Sequence, residues 1–127
     1  MTETVLALET SGALGSVAVA RHGQVMARAF LADRRRHASG IVPAAERVVD
    51  EAGVGRSGLS AILVGGGPGS FTGVRVAAAA GKGMAHALGI PLLSLSSLMA
   101  AAMTEWALPA GRGPWGWEEG REDADVG

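Results

Sequence analysis

Val5-Leu6-Ala7-Leu8 is a short apolar run that stops at Thr10-Ser11-Gly12, and Ser16–Ala20 is a second. Arg21-His22-Gly23-Gln24 reads as the turn between that second run and a third, Val25–Ala32. Runs of this length, separated by turn-forming residues, predict an antiparallel three-strand meander joined by hairpins. A helix is predicted next, starting near Ser39. Ile41, Ala45, Val48 and Ala52 recur at helical spacing with Val42 and Val49 beside them, a stripe about 120° wide at 100° per residue. Glu46, Arg47, Asp50 and Glu51 take the opposite face, and Gly53 ends the helix. Pro43 falls in its first turn, where a missing donor costs little.

Ala61–Val64 then reads as a short buried strand running into a glycine-rich segment, Gly65–Gly73. Val74–Leu88 is a second helix closed by Gly89, Pro91–Ser94 a fifth strand, and Ser96 the cap of a third helix through about Met103. The order β-β-β-α-β-α-β-α predicts an α/β, ribonuclease H-like lobe with a five-stranded mixed sheet. The second helix is unusual. Its only polar positions, Arg75, Lys82 and His86, line one narrow stripe, and the rest up to the final Leu88 is alanine, glycine, valine or methionine, with Ala77, Gly81 and Ala85 at four-residue spacing. Gly81 and Gly83 each cost roughly 1 kcal/mol against alanine in a helix interior. That cost predicts close packing of another backbone, from this chain or a partner.

Composition sharpens this expectation. The 127 residues are 48% hydrophobic with 20 glycines, and only 18% are charged, which excludes a disordered solvating chain and a generally basic polyanion binder. The absence of cysteine excludes a disulfide scaffold, a thiolate zinc site and a cysteine nucleophile. The long uncharged stretches Ser57–Val74 and Ala87–Thr104 are interrupted by GGGPGS, Pro91 and serines, and the first ten residues carry Glu3 and no basic segment. A soluble cytoplasmic chain is expected, with no membrane contact and with surplus apolar surface that meets a partner. Residues 1–104 hold nine basic and six acidic residues, and residues 105–127 hold two and six together with Trp106, Trp115 and Trp117. The second stretch has no helical or strand period and reads as an irregular acidic tail.

Two motifs are candidates for chemistry. Gly65–Gly73 (GGGPGSFTG) joins a strand to a helix, where backbone amides and the helix dipole can cradle an anion. It is neither a Walker A loop, nor GxGxxG, nor GxSxG, and a tight structural turn explains it as well. Glu9-Thr10-Ser11 ends the first strand, where an acid can hold a metal and hydroxyls can face phosphate; a solvated acid followed by turn residues is the other reading. Candidate nucleotide contacts are thus Glu9, Thr10, Ser11, Gly67, Gly69, Ser70, Thr72 and Gly73. His22, His37 and His86 share no helix face, form no metal-ligand spacing and read as surface residues. Arg34-Arg35-Arg36 reads as a solvated basic edge, with RNA phosphate contact as the alternative.

VLALETSGALGSVAVARHGQVMARA, RHASGIVPAAERVVDEAG and above all GGGPGSFTGVRVAAAAGKGMAHALGIPLLSLSSLMAAA resemble the TsaB (YeaZ) family over about residues 4–103. Its Gcp-like (M22 glycoprotease-like) members make threonylcarbamoyladenosine in tRNA. The resemblance implies one lobe of the actin/Hsp70-type ATPase fold in a non-catalytic dimerisation subunit. The implied partners are a catalytic TsaD-like paralogue, which carries the ATP and metal, and a TsaE-like ATPase. Pairing with a second copy is the expectation where no paralogue is present, and contact with tRNA is expected to be indirect. The paralogue transfers threonylcarbamoyl to N6 of adenosine 37 in tRNAs reading ANN codons.

In the family the two helices corresponding to Ser39–Ala52 and Val74–Leu88 form the partner bundle. This implies an interface of Ile41, Val42, Ala45, Val48, Val49, Ala52, Val76, Ala77, Ala80, Gly81, Met84 and Ala85. Three departures stand out. The family's first strand commonly ends Asp-Thr-Ser, where this chain has Glu9-Thr10-Ser11. The paralogue's HxxxH metal pair has no counterpart, because Pro43–Asp50 contains no histidine. The stretch after Thr104 does not resemble the family's second lobe, so the expected organisation is a lobe over residues 1–104 and a tail over 105–127 of a truncated chain. Neither a catalytic residue nor a resident metal is expected; the alternative is a nucleotide-dependent transferase or a vestigial M22-type peptidase.

Overall fold

Strict alternation buries one side of the first two strands. The structure, a computed structural model, describes residues 3–32 and 36–97. In β1 (Thr4–Glu9), Thr4, Leu6 and Leu8 are buried, and in β2 (Gly15–Arg21), Gly15, Val17 and Val19 are. The turn to β3 (Gln24–Leu31) is two residues long. His22 and Gly23 both have positive φ, 52° and 78°, the backbone of a tight hairpin turn that matches strand twist. Val19 lies opposite Ala27 and Ala20 opposite Val25, which leaves Met26 without a cross-strand partner. At this bulge the alternation breaks and Val25 and Met26 are both exposed.

The helix α1 (His37–Ala52) begins two residues before the predicted Ser39. Its first residue explains why. The His37 ring is buried, its Nε2 3.1 Å from the Leu31 carbonyl oxygen, and it packs where Gly15 lacks a side chain. A Cβ on Gly15 would come within 3.0 Å of that nitrogen. The expectation of surface histidines therefore fails at His37, which ties helix to hairpin, while His22 and His86 are exposed. Gly53 closes α1 in the left-handed conformation, as its position predicts.

A single 3-10 turn at Arg56–Gly58 leads into β4 (Ala61–Gly65), followed by α2 (Phe71–Leu88) and β5 (Leu92–Leu95). The α2 helix starts three residues before the predicted Val74, because the Ser70 hydroxyl caps it by accepting the Gly73 N–H at 3.1 Å. The strands form one mixed sheet in the order β3-β2-β1-β4-β5, antiparallel through β1 and parallel from β1 to β5. This is the predicted α/β architecture. The third helix predicted from Ser96, the boundary at 104 and the tail with its three tryptophans lie outside the described residues beyond Ser97.

Both helices pack on the sheet face that carries Leu6, Leu8, Val17, Val19, Ile62 and Val64, with α1 over β2 and β3 and α2 over β4. That packing covers much of the implied partner surface from within the chain. Ile41, Val48, Ala77, Gly81 and Ala85 are buried in the chain's own core, and Ala45 and Val49 are buried as well but line the groove between the two helices. A Cβ on Gly81 would lie 2.6 Å from a Val64 methyl and 3.0 Å from a Leu92 methyl, so this glycine admits the chain's own sheet rather than a foreign helix. Gly83 faces open space. Val42 is exposed, and Ala52, Val76, Ala80 and Met84 are half-buried.

Candidate functional site

β1, β4 and β5 run parallel, so their C-terminal ends open on the same edge of the sheet, where α/β folds hold ligands. The edge gathers Glu9-Thr10-Ser11, the loop Gly65–Ser70 and Ser97. The pieces are interlocked. Ser70 donates its N–H to the Ser11 carbonyl at 2.7 Å, and the buried Thr10 hydroxyl donates to the Gly73 carbonyl. Gly66 donates to the Leu95 carbonyl at 2.8 Å and Ser97 to the Gly67 carbonyl at 2.8 Å.

Three glycines make this approach possible. A Cβ on Gly65 would strike the Glu9 carboxylate, one on Gly73 would strike the Thr10 carbonyl, and one on Gly69 would lie 2.7 Å from Ser11. The four-residue spacing 65, 69, 73 thus receives the tip of β1. Gly67 has φ +87°, a conformation that side chains resist, and the Gly67–Pro68 bond is cis.

The Glu9 carboxylate is held at both oxygens. Oε1 accepts the Ser11 N–H at 2.8 Å and Oε2 accepts the Ser97 hydroxyl at 2.7 Å. The Ser97 oxygen also accepts the Gly67 N–H at 3.2 Å and the Ser11 hydroxyl at 3.1 Å. Charge-assisted bonds of this kind are about twice as strong as neutral ones. The structure therefore brings Glu9, Thr10, Ser11, Gly67, Gly69, Ser70 and Gly73 together, while Thr72 is exposed on the first turn of α2. Sequence reasoning missed Ser97, the centre of the cluster. Its one sequence signal was a serine pair directly after an apolar run.

A second feature lies between the helices. A groove of about 270 Å³ separates α1 from α2, floored by Leu6, Val49 and Leu59 and flanked by Val42, Met84 and Leu88, with Glu46, Asp50 and Arg56 contributing polar atoms. It is mostly apolar and adjoins the exposed Val42. Of the twelve implied interface residues, Val42, Ala45, Val49 and Met84 line it. Among the described residues no cluster of three or more His, Cys, Asp or Glu side chains could hold a metal ion, and no helix is long and apolar enough to cross a membrane.

Comparison with known proteins finds relatives over most of the chain. The family model of TsaD, tRNA N6-adenosine threonylcarbamoyltransferase, matches residues 24–114. A Haemophilus influenzae protein named tRNA threonylcarbamoyladenosine biosynthesis protein TsaB is 37% identical over 83% of this chain and 44% of its own length. Its Escherichia coli namesake is 33% identical over 80% of this chain and 44% of its own length. Among solved structures, YeaZ from Pseudomonas aeruginosa superposes with a TM-score of 0.76 at 39% identity, over 83% of this chain and 49% of its own. The chain spans about half the length of these relatives or less.

Proposed function

We infer a function from one premise: the chain belongs to the tRNA N6-adenosine threonylcarbamoyltransferase (TsaD) family, among the members named TsaB. Its role is that of a non-catalytic subunit in the synthesis of threonylcarbamoyladenosine, on N6 of adenosine 37 in tRNAs reading ANN codons. The α1–α2 groove receives a TsaD-like catalytic paralogue, which carries the ATP and metal, and a TsaE-like ATPase joins the pair. Where the paralogue is absent, the same groove supports pairing with a second copy. The setting is the cytoplasm.

The observation that supports this reading is how the glycine loop spends its amides. A loop that holds nucleotide phosphates needs free N–H groups directed at them. Here four of the amides of the loop and helix start, those of Gly66, Gly67, Ser70 and Gly73, donate to oxygens of this chain, and the acid at the tip of β1 is already bonded at both oxygens. The cluster works as a clasp that fixes β1, the loop and Ser97 to one another. Positioning by a fixed subunit contributes to catalysis on a partner without a reacting group of its own.

The test is ATP turnover by the full chain with and without the TsaD-like paralogue. The expected result is none from the chain alone and stimulation of the paralogue's turnover on mixing. Turnover by the chain alone, abolished in Glu9→Ala, would favour the nucleotide-dependent enzyme instead.

A further inference from the structure

The outward side of α2 carries a strip with no acid in it. Phe71 is 75% exposed, the most exposed large apolar side chain among the described residues, and the Arg75 guanidinium sits 5.4 Å from its ring centroid. Lys82 and His86 follow, both exposed. At 100° per residue the four fall within a strip about 60° wide, turned away from the flank on which Met84 and Ala87 line the groove. Neither Arg75 nor Lys82 has a carboxylate within ion-pair distance among the described residues. The intervening Ala79 and Gly83 put no bulk beside the charges.

We propose that this strip is a direct contact surface for single-stranded RNA. Phe71 stacks an unpaired base on the ring face that Arg75 leaves open, and Arg75 and Lys82 take backbone phosphates. The two cations are seven residues apart, about 10 Å along the helix, so one strand laid along it can meet both. An acidic protein helix would satisfy the charges but would set carboxylates around an exposed phenyl ring. A nucleotide strand presents flat rings and anions along one line. The inference rests on the role in tRNA modification and gives this chain a direct RNA contact where the family resemblance implied an indirect one.

The experiment is fluorescence anisotropy of the full chain with a labelled oligouridylate and with a tRNA anticodon stem–loop, between about 50 mM and 200 mM salt. Wild type binds both probes, with affinity falling steeply as salt rises. Phe71→Ala weakens binding about tenfold. Arg75→Ala/Lys82→Ala weakens it at least as much and lowers the salt slope by roughly 1.4 on the single strand, two phosphate contacts' worth. Circular dichroism confirms that these exposed substitutions leave the fold unchanged.

Undetectable binding by wild type, or equal binding by the double variant, overturns the proposal. So does loss of the TsaD-like paralogue by the strip variants with RNA affinity intact, which would make the strip a protein contact. Met84→Asp separates this proposal from the scaffold reading, since it should lose the paralogue and keep RNA. If Met84→Asp keeps the paralogue, the groove assignment fails while the RNA strip stands.

Discussion

Gly81 and Gly83 lie two residues apart in α2 and meet opposite surroundings, so the same kind of change should act on them in opposite directions. An added methyl at Gly83 meets nothing within 4 Å, and Gly83→Ala should raise stability by about 0.5–1 kcal/mol through helix propensity alone. Gly81→Leu drives a side chain into Val64 and Leu92 and should cost about 1–3 kcal/mol. Urea midpoints of the two variants on either side of wild type would bear this out; a Gly81→Leu midpoint at or above wild type would not fit the packing described. Glu9 and Ser97 form a second residue-scale prediction, because their side chains share one hydrogen bond and one common partner, Ser11. In a double-mutant cycle of Glu9→Gln and Ser97→Ala, the coupling should reach about 0.5–3 kcal/mol. Simple additivity would mean that the clasp does not act as a unit.

Among the elements, the strands were legible because β1 and β2 alternate and a glycine, Gly12 or Gly23, follows each, and helix ends were legible at Gly53 and Gly89. The start of each helix was not. His37 begins α1 through burial against a hairpin that is remote from the helical pattern, and Ser70 begins α2 through a side-chain bond that no hydrophobic period reveals. The apolar stripe of α2 shows a related limit. Periodicity states which residues share a face but not whether a sheet or a partner covers it, and Ile62, Val64 and Leu92 supplied the cover for Gly81. At the site, the meeting of Glu9–Ser11 with the glycine loop followed from the strand order. Ser97 did not, because it lies 88 residues from the carboxylate that it binds. The element-scale prediction concerns the surface that remains open between the helices. Val42→Asp changes an exposed position and should alter stability by no more than about 0.5 kcal/mol, whereas Val48→Ala, deep in α1's core face, should cost about 0.5–3 kcal/mol. Thermal unfolding of both variants checks the direction in which α1 faces.

For the molecule as a whole, the sheet divides the work between its ends and its helical face. The clasp of Glu9, Ser11, Gly67 and Ser97 spends polar groups on holding the chain together, and the α1–α2 groove leaves apolar surface open beside acidic side chains. That division is what a subunit needs if it acts by being held against a partner. The most direct test is an isothermal titration of the full chain against a TsaD-like protein, the proposed partner, comparing wild type with Met84→Asp. A buried anchor at such a contact is worth at least about tenfold in affinity. The account predicts a saturable complex for wild type and binding at least about tenfold weaker for the variant, with its circular dichroism unchanged. Equal affinity of the two proteins would contradict it.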